Sequence, residues 1–489
     1  MESDPVAIDR RPRSLVHMFL ERADEAPDED AYYYPVEGGG WQESTWSQTR
    51  ELVEGLAAGL MALGVAVEDR VALLASSRYE WVLAFLAAQA AGAAVTPLDP
   101  AAADEDVARA LAESGARIVV AEDYDAVRTL WRIRSRIRDV TKVVQIDGDY
   151  PDPRVLTLEG LLALGQDHLA GQPRAVPQRL YAIRRQGLAA LVPATAQPPE
   201  ESSGRGTPGV RLSHGSLTYQ ATALSMLGLL DEGDLLFCAV PLAGTTGRSV
   251  LAAQLVSGCP LALVPGCPGD DADDDATSAL ADALWVVRPT VLVASPPQLE
   301  RLRGRVQREQ RSGVLRRRTT ERAFDTARQV REQRVAGERV PPGLARRHRS
   351  LDKKVLAEVR ELFGGRLRFV VTGDLGSDTG DFYDLADVTL LEGYATAEAG
   401  GVVALALPGD RGSRTVGHPL PGTHVRIADD GEILVSGPGL MEGYHGRRAP
   451  RVVEGGWLHT GDSGVLDAEG RLRVLGRQMV GQVGTSFPT

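Results

Sequence analysis

Two glycine-flanked stretches hold the residues of this chain best suited to chemistry. Gly456-Trp457-Leu458-His459-Thr460-Gly461-Asp462 sets a carboxylate just beyond a tight turn that Gly456 and Gly461 permit. A carboxylate there accepts two hydrogen bonds well, as from a pair of ribose hydroxyls, although an acidic tip can also be a plain turn. The second stretch, Ser202-Ser203-Gly204-Arg205-Gly206-Thr207-Pro208-Gly209, follows an apolar segment over 188–192. Its glycines and hydroxyls, with Arg205 among them, make it polar and short of side-chain constraint. A surface loop rich in Gly, Ser and Pro has the same composition. Asp271, Asp273 and Asp275 sit at calcium-loop positions one, three and five, but Ala276 stands where glycine is needed and Asp282 ends the loop. That stretch therefore reads as a solvated loop before a helix over 277–286. Cys238, Cys259 and Cys267 have neither CxxC nor metal spacing, and a sparse, odd set suits a reducing cytoplasm.

The elements that must position these groups follow from periodicity. At 489 residues the chain exceeds one compact core, so two or three subdomains are expected. Thr45-Trp46-Ser47-Gln48 is a capping box, opening a helix with Leu52, Leu56, Leu60 and Leu63 on one face and Gly64 at its end. Short apolar strands over 71–75, 93–96, 117–120, 142–146 and 188–192 alternate with helices over 79–91 and 104–114. That alternation implies a parallel, doubly wound sheet covered on both faces. The long apolar run 81–98 is broken by Gln89, Gly92 and Pro97, so it reads as a buried helix entering a buried strand and not as a transmembrane segment. Ala239-Val240-Pro241-Leu242-Ala243-Gly244 reads as a buried strand and turn. Leu351, Val355, Val359 and Leu362 form one helical face closed by Gly364-Gly365, and strands follow over 367–371 and 388–392. A hairpin at Asp429-Asp430-Gly431 and a last strand over 471–475 suggest a small β unit. The segment 301–354 is dense in arginine, with Arg316-Arg317-Arg318 and Arg346-Arg347-His348-Arg349, and lacks long apolar periodicity. It reads as a helical excursion on the surface, with a solvated face or weak contact with acidic lipid headgroups. The net charge of −12 argues against nucleic-acid binding, and the polar residues 1–13 do not form a signal peptide.

The string from Gly456 to Asp462 resembles the GWxHTGD motif of the AMP-forming adenylating enzymes, the superfamily of acyl-CoA synthetases, luciferases and peptide-synthetase adenylation domains. Glu392-Gly393-Tyr394, Val416-Gly417-His418-Pro419-Leu420-Pro421-Gly422, Gly431-Glu432-Ile433-Leu434-Val435, Gly443-Tyr444 and Gly476-Arg477 stand in that family's order. The arginine-rich insertion resembles the bacterial long-chain fatty acyl-CoA synthetases. The resemblance implies an α/β fold of two doubly wound subdomains plus a small β-barrel. We divide it as 1–180, 181–390 with the phosphate loop and the basic insertion 301–354, a barrel over 391–476, and the start of a C-terminal domain at 477–489. It implies ATP or AMP with Mg²⁺, and a fatty acid or other carboxylate as substrate. By resemblance, Tyr394 stacks on adenine against Thr372 and Gly373, Asp462 and Arg477 hold the ribose, Glu398 holds Mg²⁺, and Ser203, Gly204, Arg205 and Thr207 belong to the phosphate loop.

Several positions depart from the family pattern. No lysine follows Pro208, and the loop is about two residues short by comparison with the family's TSGTTGxPKGV pattern, after an apparent insertion over 193–201. Gly244 occupies the place of a histidine near the carboxylate and α-phosphate. Ala397 occupies that of the phosphate-touching threonine, with Thr396 one place early. Asp374 replaces a small residue of the adenine wall. Met479 stands at the hinge position and the chain ends at Thr489, where the family continues into a mobile domain with a catalytic lysine; Lys142, Lys353 and Lys354 are the chain's only lysines. The expectation is a long-chain fatty acyl-CoA synthetase-like AMP-binding protein with impaired or lost catalysis, for which coenzyme A is not expected as a ligand without the mobile domain. The alternatives are a non-catalytic homologue acting as a nucleotide-binding, acyl-binding or regulatory partner, and a core whose lid comes from a partner protein.

Overall fold

In a computed structural model, which describes residues 5–36, 38–194, 209–264, 274–310, 314–410, 415–445 and 453–477, the capping box at Thr45 forms as the sequence requires. The Gln48 amide donates to Thr45 Oγ1 at 3.3 Å and the Thr45 amide to Gln48 Oε1 at 3.0 Å. The helix Trp46–Ala62 then runs to Gly64, whose φ of 87° is readily open to glycine. The helices Tyr79–Ala90 and Asp104–Ser114 and the strands between them also form. Tyr79–Ala90 is buried on every side, so its apolar run belongs to the core. Among the described residues no helix is long and apolar enough to cross a membrane.

The strands assemble into three sheets. The first has the order Val155–Thr157, Lys142–Gln145, Ile118–Ala121, Arg70–Leu74, Ala94–Leu98, Leu188–Pro193, Gly209–Ser213, parallel except for the last strand. The second has nine strands. Its parallel centre runs Leu390–Thr396, Phe369–Thr372, Val291–Val293, Leu236–Cys238, Leu261–Leu263, Asp30–Pro35. Antiparallel strands finish both edges. Thus residues 188–213 complete the first sheet, while the hairpin of 30–45 joins the second. Strand pattern is local, but the choice of partner strand is not, so sheet membership crosses the division at residue 180. The C-terminal unit is an antiparallel sheet of His424–Ile427, Glu432–Ser436, Val453–Glu454, Trp457–Leu466 and Leu472–Arg477. Its described strands do not close into a ring of paired strands.

Helices that sequence periodicity did not reveal complete the layers, among them Leu15–Glu25, Leu158–Gly171, His214–Ser225 and Thr245–Ser257. Leu158–Gly171 lies against Trp46–Ala62 through glycines. A Cβ on Gly165 would overlap the Gly55 carbonyl oxygen, a backbone atom that cannot swing aside. Gly165→Ala is therefore expected to destabilise the protein by about 1–3 kcal/mol through overpacking. Chemical denaturation checks this, since an unchanged midpoint would mean that the two helices are not in backbone contact.

The arginine-rich insertion is helical, with Pro296–Gln310, Val314–Val335 and Pro342–Leu351 followed by a π-turn at Asp352–Leu356. It is not merely a surface excursion. Leu302, Val306, Ala323 and Ala327 are buried in the second core with Phe363 and Tyr383. The inner face is built partly from alanines, which carry little weight in an apolar pattern but allow close helix packing. Arg316, Arg317, Arg318, Arg346, Arg347 and Arg349 stay exposed. Arg331 pairs with Asp381 and Asp384, both at 2.9 Å.

Candidate active site

The Tyr394, Asp462 and Arg477 side chains meet where the second sheet abuts the C-terminal sheet. Tyr394 lies in the strand Leu390–Thr396, and its hydroxyl donates to Asp462 Oδ2 at 2.6 Å. Arg477 is the direct cross-strand partner of Asp462, and its Nη1 donates to Asp462 Oδ1 at 3.0 Å. Burial, reinforced by the Asp462 carboxylate, holds the Tyr394 hydroxyl well above the usual phenol range, so it stays a donor. The rest of the motif buttresses Asp462. The Asp462 amide donates to Thr460 Oγ1 at 3.1 Å, and the Thr460 hydroxyl donates to the Ile433 carbonyl at 2.7 Å. Glu432 accepts the Gly461 amide at 2.8 Å and lies 2.7 Å from His459 Nδ1. Gly461 has a φ of 71°, which explains its place in the string.

Glu398 is buried, and the Tyr444 hydroxyl donates to its Oε1 at 3.1 Å. Burial and the Glu398 charge raise the Tyr444 hydroxyl pKa. Tyr444 faces Val210 across an isolated bridge; the Arg211 amide donates to the Gly443 carbonyl at 3.0 Å, and His445 to Gly209 at 2.7 Å. The chain leaving the glycine-rich loop is thus fastened to the Gly443-Tyr444 turn, and Tyr444 joins the site although sequence reading noted it only for its order. Ser203, Gly204, Arg205 and Thr207 lie outside the described residues. Thr396 is buried, and its Oγ1 accepts the Ala399 amide at 3.0 Å, closing the turn that presents Glu398. Ala397 is fully buried.

Thr372 and Gly373 leave the strand Phe369–Thr372 beside Tyr394 and line a cavity of about 810 Å³. The Thr372 hydroxyl is buried without a hydrogen-bond partner among the described residues. Asp374 is exposed, accepts the Gly376 amide at 3.2 Å and is not among the residues that line this cavity. The cavity runs back between the sheet and the helix Thr245–Ser257, along apolar side chains including Val250, Val293 and Leu405. Gly244 also lines it, capping that helix without a side-chain hydrogen bond. The strand expected over 239–244 is instead Leu236–Cys238, followed by a turn and this helix start. Ser77 Oγ accepts the Leu242 amide at 2.8 Å, and Arg248 donates to the Ala243 carbonyl at 2.5 Å, so the turn is tied from both sides. Burial lowers the Arg248 pKa to about 10.

His214 opens the helix His214–Ser225 just after the loop and is buried. Burial, followed by the charge of His17, lowers its pKa to about 4 from an ordinary 6.5. The folded state therefore keeps His214 neutral while the unfolded chain takes up a proton below pH 6.5. Its contribution is intact above that pH and is lost as pH falls from 6.5 towards 4. Acidification from pH 7 to 4.5 is expected to cost the wild type roughly 2 kcal/mol more than His214→Gln. Parallel acid limbs in thermal melts of the two proteins would refute this.

A family model described as AMP-binding enzyme matches residues 19–192 and 202–445. The chain belongs to this family. It is 29% identical over 474 residues to long-chain-fatty-acid–CoA ligase FadD15 of Mycobacterium bovis, covering 95% of this chain and 74% of that protein. It is 25% identical to the peroxisomal long chain acyl-CoA synthetase 7 of Arabidopsis thaliana, covering 90% and 62%. The fold matches the anthranilate CoA ligase AuaEII in complex with anthranoyl-AMP, with TM-score 0.73 and 17% identity over 96% of this chain and 80% of that one. It also matches the long-chain-fatty-acid-CoA ligase FadD1 of Archaeoglobus fulgidus, with TM-score 0.71 and 16% identity over 96% and 85%. The chain is an AMP-binding protein similar to long-chain fatty acyl-CoA ligases.

Proposed function

We propose that this protein binds an adenine nucleotide and a long-chain carboxylate in one continuous site, and that its adenylation chemistry is weakened. The observation that carries the reading is the junction of the apolar cavity with Tyr394, whose hydroxyl is held by Asp462 beside Arg477. The unpartnered Thr372 hydroxyl and Gly373, which puts no side chain into the cavity, fit an adenosine, and an apolar cavity of this size fits a fatty acid. Tyr394 would stack on the base, and Asp462 would accept ribose hydroxyls while Arg477 keeps its carboxylate charged and oriented. Glu398 would be the protein's ligand to Mg²⁺, a metal that characteristically takes one or two carboxylates and completes its shell with phosphate and water. That ion would neutralise the phosphates. Thr245 and Thr246, at the open start of their helix, would meet the substrate carboxylate end of the cavity.

Weakened chemistry is supported by Gly244 and Ala397, which put no donor where resembling enzymes have histidine and threonine. A binding or regulatory role is the second reading, and the same two residues favour it. A fatty acid carrying a mid-chain diazirine tests the acyl half. Irradiation is expected to label the cavity wall around Val250 and Val293, and competition by unlabelled fatty acid should abolish the label. Labelling confined to the protein surface would exclude the cavity as the acyl site.

A further inference from the structure

The cavity has a second end. Leu236, Val291 and Phe369 begin three adjacent parallel strands and line up in one transverse row, and all three line the cavity at its far side from Thr372. Along the covering helix the wall runs from Thr245 to Ser257. At about 1.5 Å per residue that is roughly 18 Å, slightly more than the ~15 Å of hydrocarbon in one bilayer leaflet. The far rim is charged. Asp231 and Glu232 line it. Glu232 pairs with Arg22 of the helix Leu15–Glu25 at 2.7 Å, and Asp231 lies 3.9 Å from Arg368. Arg22 can lie across the rim because residue 258 is glycine: a Cβ there would overlap its guanidinium.

On the reading that this cavity takes an acyl chain, we infer that the charged rim of Arg22–Glu232 and Arg368–Asp231 sets the longest chain the site can bury. Each methylene placed inside leaves water for an apolar wall. A methylene that reaches the rim meets ion pairs and solvent and gains nothing. Ala253, eight residues along the helix from Thr245, lies two thirds of the way along this wall, where a small side chain keeps the passage open. Arg22 acts here as a positioning residue, holding Glu232 at the opening.

The test is equilibrium binding of saturated fatty acids of stepwise length to the full chain, read by displacement of a fluorescent fatty acid. Wild-type affinity is expected to rise about fourfold per methylene and then level off when the chain spans the cavity. Ala253→Phe is expected to bring the plateau about a third earlier, since eight of the twelve helical steps precede it. Glu232→Leu is expected to keep affinity rising beyond the wild-type plateau. Its side chain is exposed, so this variant decides the matter even where Ala253→Phe fails to fold. Binding whose plateau stays put in Glu232→Leu overturns the ruler and leaves the acyl reading intact. No binding at any length overturns both.

Discussion

Incubated with ATP, Mg²⁺, coenzyme A and fatty acids of several lengths, the protein is expected to release pyrophosphate several orders of magnitude more slowly than a relative with the full set of phosphate-handling groups. Thioester cannot accumulate faster than adenylate forms. The adenylation step gathers negative charge at the α-phosphate, and donors aimed there supply much of the rate; loss of one such group costs about 10²–10³-fold. Here Gly244 offers only backbone, Ala397 a buried methyl, and no lysine follows Pro208. The lysines elsewhere cannot compensate: Lys142 Nζ donates to the Pro153 carbonyl at the first sheet, and Lys353 and Lys354 sit exposed on the π-turn of the arginine-rich insertion. Arg205 could bring one guanidinium, which binds phosphate well but from another position in the loop. Gly244→His is expected to raise pyrophosphate release about tenfold or more. Gly244 has a φ of −76°, which any residue adopts, and a Cβ there would need only a small shift of the Pro241 carbonyl oxygen, 3.1 Å away. Rapid turnover by the unaltered protein would show that another group supplies the missing charge.

Asp462→Ala is expected to weaken AMP binding by about 1–3 kcal/mol, roughly 5- to 150-fold. The substitution removes the acceptor proposed for the ribose and also leaves the Tyr394 hydroxyl and Arg477 without their shared partner. Tyr394 is half-buried, so water would only partly replace the hydrogen bond its hydroxyl loses. Asp462→Asn separates the two effects: it keeps an acceptor for Tyr394 but removes the charge facing Arg477, so an intermediate loss is expected. Unchanged AMP affinity in both variants would remove Asp462 from the nucleotide site.

Much of this architecture was legible because local chemistry fixed it. The Thr45–Gln48 box, Gly64, and the apolar strands of the first sheet each carry their own signal. The string from Gly456 to Asp462 was legible through its resemblance to a known motif: in the structure Gly461 and His459 bond Glu432, and Thr460 accepts the Asp462 amide, which fixes the backbone that carries the carboxylate. Three things were not legible. The hairpin of residues 30–45 pairs with the second sheet through contacts more than two hundred residues away in sequence. The helix Thr245–Ser257 begins at Gly244 without a capping side chain and is buried nearly all round, so neither a cap nor an amphipathic period announced it. The insertion hid its core face because Ala323 and Ala327 count for little in an apolar pattern beside so many arginines. Tyr444 came into view only when folding set it beside Glu398.

On the proposal made above, a nucleotide and an acyl chain share one site that still binds although its chemistry is weakened. Calorimetric titration of a non-hydrolysable long-chain acyl-adenylate mimic, beside ATP–Mg²⁺ and AMP, tests it most directly. The expected result is saturable one-to-one binding of the mimic, tighter than either AMP or the free fatty acid, and weakened by Asp462→Ala. No heat of binding for the mimic, or binding indifferent to Asp462, would contradict the claim.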